Sequence, residues 1–146
     1  MAFSRLDTRW ATRGGDGGRT LVRYLDLVID GDPLGRHIKA DTVTPLGHGP
    51  DDWQDEAIDR FLGLGAADAP GDRTSFYVCG ECGDLGCGAI TAVIERGPGV
   101  VVWRNFGYQN NYEAKISADD YRGLGPFTFD AAEYDAFFDA LRPSHR

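Results

Sequence analysis

All three cysteines of this 146-residue chain fall in one short stretch, Cys79-Gly-Glu-Cys82-Gly-Asp-Leu-Gly-Cys87, with the spacing C-x2-C-x4-C. Soft ligands this close can grip a metal, exchange a disulfide, or fill a tight turn as small apolar groups. Zinc is the ion such a loop would take, and it wants four ligands in a tetrahedron. Three are supplied by Cys79, Cys82 and Cys87, and the candidates for the fourth are His48, His37 and Asp84. His48 is preferred because glycines on either side let its side chain approach, whereas Asp84 sits inside the loop itself. Gly80, Gly83, Gly86 and Gly88 suit a knuckle that wraps an ion, since tight turns call for positive φ. Only a single C-x2-C is present, so the spacing alone leaves the other two uses of the loop open.

A redox role would rest on Cys79-Gly-Glu-Cys82, the spacing of disulfide exchangers. Those motifs place the first cysteine at a helix N-terminus, but here the loop leads into an extended segment. Glu81 and Asp84 are also expected to raise a neighbouring thiol pKa by like-charge repulsion. Other catalytic signatures are missing: there is no G-x-S-x-G elbow, no H-E-x-x-H and no P-loop, and the histidines are scattered at 37, 48 and 145. The chain therefore reads as leaning away from an enzyme.

A second group of residues suits recognition rather than catalysis. In Trp103-Arg-Asn-Phe106-Gly-Tyr108-Gln-Asn-Asn-Tyr112, Trp103 and Phe106 are expected to pack inside, while the strand should end near residue 108. That leaves Tyr108, Asn110, Asn111 and Tyr112 as candidate contacts with a protein partner, because rigid aromatics carry much of the energy at interfaces. Glu113, Asp119 and Asp120 would give this patch a negative rim suited to a basic partner.

Charge points the same way. The net charge is −8, and residues 1–24 hold five arginines against two aspartates, so the rest of the chain is strongly acidic. Such a surface disfavours nucleic-acid backbones, which are held by clustered Lys and Arg. No apolar run is long enough to cross a bilayer, and the N-terminal residues lack the apolar core of a signal peptide, so a cytoplasmic, reducing location is expected. An odd number of cysteines agrees with that expectation. With 42% hydrophobic residues, a single domain over 1–146 can bury a core without help from a metal.

The elements that must position these residues can be traced from periodicity. Residues 19–30 alternate, with Leu21, Leu25, Leu27 and Ile29 on one face, and Gly31-Asp32-Pro33 stops the strand. The segment around Phe3, Leu6 and Trp10 would pair with it through the glycine-rich turn at 14–18. Helical spacing marks 51–62, opened by Pro50 and closed by Gly63, and also 130–141, where Asp130 and Glu133 form a capping pair. Between them lie strands at about 75–80, 87–95 and 100–107, then a capped turn near Ser117 and Asp120 and a short strand at Phe127-Thr128-Phe129. The expected architecture is α+β: an antiparallel sheet made of an N-terminal hairpin plus a three-strand meander, with two packed helices.

Across residues 75–141, the order Tyr-Val-Cys-x-x-Cys-Gly-Asp-Leu-Gly-Cys-Gly, Val-Trp-x-x-Phe-x-Tyr and Pro-Phe-x-Phe-Asp-x-x-x-Tyr resembles a group of small uncharacterised actinobacterial proteins. Some of these carry the label oxidoreductase. The resemblance implies no activity, cofactor or catalytic residue beyond that label, and residues 1–20 lie outside it. The residues themselves favour a binding or inhibitory module, in the manner of an immunity protein or antitoxin, with a structural or zinc-binding cysteine loop. The alternative is a thiol oxidoreductase using the C-x2-C motif.

Overall fold

The computed structural model describes residues 2–83, 85–110 and 115–145. The chain is α+β, with two antiparallel sheets and two α-helices among the described residues. Strands β1 (Leu6–Arg13), β2 (Val22–Ile29) and the two-residue β3 (Asp32–Pro33) form the first sheet. The second runs in chain order through β4 (Thr42–Val43), β5 (Thr74–Cys79), β6 (Ala89–Gly97), β7 (Val100–Gln109) and β8 (Phe127–Asp130). Helix α1 (Asp51–Leu62) enters between β4 and β5, and α2 (Ala131–Ala140) follows β8 directly.

The hairpin pairs Leu6 with Ile29 and Trp10 with Leu25. It forms a sheet of its own and does not extend the meander, which has five strands rather than three. Part of the link between the sheets is made by the irregular segment after β4: Leu25 N–H donates to the Leu46 carbonyl, and the Thr44 hydroxyl donates to the Leu25 carbonyl. This explains why β2 departs from simple alternation. Tyr24 through Ile29 are buried on both faces, while Leu21, outside the strand, is exposed. Trp10 is also exposed, with the Arg23 guanidinium 3.9 Å above its ring.

Both helices start and stop where the sequence places them. Gly63 closes α1 in the left-handed region at φ 76°, and the Asp130 carboxylate accepts the Glu133 N–H at the start of α2. The acidic side of α1 is partly consumed by packing. Arg142, just beyond α2, binds Asp55 at 3.2 Å and Asp59 at 2.6 Å as well as Asp139 at 3.0 Å, which ties the two helices together. The expected turn at Ser117 and Asp120 is a 3-10 turn over Asp119–Tyr121 without a side-chain cap.

Trp103 of β7 is fully buried at the centre of an aromatic core. Phe76 and Phe129 meet it edge-on at 4.8 and 4.6 Å between centroids, and Phe61 of α1 stacks on Phe138 of α2 at 4.8 Å. A hydrogen-bond relay crosses this core: Trp103 Nε1–H donates to the Tyr134 hydroxyl, which donates to the Phe61 carbonyl. That carbonyl lies in the last turn of α1, where helical partners run out. Tyr134→Phe leaves a buried donor and a buried acceptor unpaired, so urea denaturation is expected to show a loss of about 2 kcal/mol. A change below about 0.5 kcal/mol would mean the relay adds nothing to stability.

Candidate metal centre

The cysteine loop bridges β5 and β6. Cys79 is the last residue of β5, a 3-10 turn covers Leu85–Cys87, and β6 begins at Ala89. The Cys79 carbonyl accepts the Gly83 N–H at 2.9 Å, closing the first turn, while Gly83 and Gly88 adopt φ of 67° and 94°. Both are conformations that residues with a Cβ rarely adopt. The fold gathers the three sulfurs so that all lie within 4.8 Å of one another, close enough to bind one metal ion. Cys79 is half-buried, and Cys82 and Cys87 are exposed.

Three elements hold this loop from outside. Glu81 accepts hydrogen bonds from the Thr20 N–H and hydroxyl, both at 2.7 Å, and from Arg13 at 2.9 Å. Arg13 also reaches Asp41 at 2.8 Å, so the end of the first hairpin is fastened to the loop. The Trp53 indole of α1 lies beneath Gly83, where an added Cβ would come within 3.2 Å of it. Tyr108 of β7 lies across Gly88, where a Cβ would fall 2.2 Å from the tyrosine hydroxyl.

The electrostatics follow from these contacts. Burial alone would raise the Cys79 thiol, but the backbone N–H groups of Glu81 and Cys82 donate to its sulfur and hold it below the ordinary thiol value. The expected repulsion from Glu81 is thus corrected: its carboxylate is turned toward Thr20 and Arg13, and it is its N–H that meets Cys79. Cys82 and Cys87 share a hydrogen bond at 2.8 Å, and this bond is the main reason the Cys87 thiol is pushed up to about 12. Sulfurs 2.3 Å from a tetrahedral zinc would stand about 3.8 Å apart. The Cys82–Cys87 pair would therefore open by about 1 Å around an ion.

His48 borders the same site without joining the cluster of sulfurs. With Trp53, Cys79, Glu81, Cys82 and Gly83 it lines a cavity of about 330 Å³, and its ring meets Trp53 edge-on at 5.3 Å. Its Nε2 lies 2.7 Å from the Thr44 carbonyl and donates to it, so Nδ1 is the ring nitrogen that could meet an ion. His37 is placed elsewhere, with Nε2 2.7 Å from Asp32, and Asp84 lies outside the described residues.

The recognition residues are only partly in view. Tyr108 is half-buried against the core edge, and its backbone bridges to Ser117. Asn110 follows the end of β7, while Asn111, Tyr112 and Glu113 lie outside the described residues. Asp119 pairs with Arg122 at 2.8 Å and Asp120 with Lys39 at 3.6 Å, so two members of the expected negative rim have basic neighbours. Among the described residues no helix is long and apolar enough to cross a membrane. Comparison with protein-family models, with curated proteins and with solved structures finds no match.

Glu81 titrates with a pKa of about 2, lowered chiefly by the Thr20 N–H and then by the Thr20 hydroxyl and Arg13. Because the folded value lies below the ordinary ~4.3, its contribution is present above that value and is lost as pH falls through the folded one. Thermal melts of Glu81→Gln are expected to lie below wild type at pH 7, with the gap closing between about pH 4 and pH 2. A gap independent of pH would mean that the charge of Glu81 does not hold the hairpin to the loop.

Proposed function

We propose that the protein is a non-enzymatic binding module whose cysteine loop takes one zinc ion through Cys79, Cys82 and Cys87, with His48 completing the set. The observation that carries the metal reading is the convergence of three thiols within 4.8 Å on a loop held from three sides, with backbone N–H groups aimed at Cys79. N–H donors to a sulfur favour its thiolate, which is the form that binds metal. His48 suits the fourth place because a metal-ligating histidine usually donates its other ring N–H to a carbonyl, as Nε2 does here to Thr44. To complete the set, the glycine-flanked His48 segment would have to bring Nδ1 to the ion across the cavity it shares with Cys79 and Cys82.

The partner in this reading is a protein, and a basic one, in the manner of an immunity protein or antitoxin; the acidic balance of the chain supports it. The proposed contact face is the tip beyond β7, from Tyr108 and Asn110 to Asn111 and Tyr112. Tyr108 lies against Gly88, so a metal that stiffens the loop would also steady this face.

Thiol oxidoreductase activity is the second reading, favoured by the 2.8 Å approach of Cys82 and Cys87. In that reaction the two thiols would give two electrons and two protons to a small disulfide and become a disulfide themselves. One preparation separates the readings. Untagged protein purified under reducing conditions is expected to carry about one equivalent of zinc by elemental analysis. Cobalt substitution should give thiolate charge-transfer bands together with intense tetrahedral visible bands. His48→Ala should retain the charge-transfer bands, weaken affinity about 10- to 100-fold and alter the visible bands. Metal-free protein that takes up no cobalt ends the zinc proposal, and loss of two titratable thiols on adding oxidised glutathione supports the redox reading in its place.

A further inference from the structure

Arg73 precedes β5, about 20 Å along that strand from Cys79, and is only 5% exposed. Its Nε–H is shared by Thr91 Oγ1 at 2.9 Å and Gln109 Oε1 at 3.1 Å, and Nη2 donates to the carbonyls of Thr91 and Asn105. The Asn105 carbonyl is available because β7 bulges there: Asn105 and Phe106 stand opposite the single residue Ala92, and Asn105 adopts φ 60°. Every one of these acceptors is neutral. Among the described residues no carboxylate pairs with Arg73 and no acceptor meets Nη1, so within that set its two N–H groups have no protein partner. A buried charge without a counter-charge is costly, and desolvation accordingly lowers the Arg73 pKa.

The side chain lines a cavity of about 510 Å³ whose walls include Phe106, Leu124 and Pro126, with Arg104 and Arg122 on the same lining. These last two are matched by Glu95 and Asp119, which leaves Arg73 as the cation there without a partner among the described residues. The volume suits a small molecule. We propose that this cavity binds a small organic monoanion, a carboxylate on an apolar body, with the carboxylate against Arg73 Nη1 and the body against Phe106, Leu124 and Pro126. A single free nitrogen favours one carboxylate over a phosphate, which draws on several donors, and a chain of net charge −8 repels a dianion more strongly.

The side-chain Nε–H signal of Arg73, assigned in the intact ¹⁵N-labelled protein, reports the site without mutation. Titration with benzoate is expected to move that signal saturably, with half-saturation at about 10 mM or below. Benzamide, of the same shape but neutral, should leave it in place. The double variant Arg104→Gln, Arg122→Gln alters only cations outside the core and should weaken benzoate about threefold or more, while Leu124→Trp should fill the cavity and abolish the shift. A signal unmoved by benzoate, or moved equally by benzamide, overturns the proposal. So does a response confined to inorganic phosphate, or one that survives Leu124→Trp in a folded protein.

Discussion

The burial of Trp103 is the constraint on which the other parts depend. Its ring fills the space between the five-stranded sheet and the two helices, and its one polar atom must find a partner there. Tyr134 supplies that partner and passes the bond to the end of α1. A single indole thereby fixes the seat of both helices relative to β7. The sheet so fixed sets where β5 and β6 end, and the cysteine loop is the bend between those ends. Trp53, on the same α1, then reaches the underside of that loop. Core packing and site geometry are thus two ends of one chain of contacts.

Arginine does much of the joining in this acidic protein. Arg142 satisfies carboxylates from both helices, and Arg13 spans Asp41 and Glu81 between the hairpin and the loop. Both cations are largely covered while their partners are more exposed, so each guanidinium gains fixed geometry as well as charge. Asp26 is the converse case: it is buried beneath Tyr77, and desolvation raises its pKa against the bonds from Tyr77, Leu27 and Gly35. Together these contacts show that the excess of negative charge is not spread evenly over an inert surface.

Short-range patterns in the sequence were the legible part. Glycine and proline marked the ends of α1, the Asp130–Glu133 pair marked the start of α2, and the cysteine spacing marked the loop. The two-residue strands β3 and β4 were not legible, because so short a segment carries no periodicity and owes its conformation to its neighbours. The division into two sheets escaped for a related reason, since it rests on Thr44 and Leu46 meeting β2 across a gap in sequence. At the site, the convergence of the sulfurs could be expected from spacing alone. The roles of Glu81, Trp53 and Tyr108 could not, because Trp53 and Tyr108 act on the loop from distant elements, and the Glu81 carboxylate finds its partners 61 and 68 residues away while its N–H meets Cys79.

The uneven exposure of the three thiols would set the exchange kinetics of an ion bound in the loop. Cys82 and Cys87 face solvent, while Cys79 is half covered at the end of its strand. A chelator could therefore displace the outer sulfurs one after the other without waiting for the loop to unfold, and the inner sulfur would let go last. Exchange would then scale with the concentration of the incoming ligand and be nearly indifferent to the global stability of the fold.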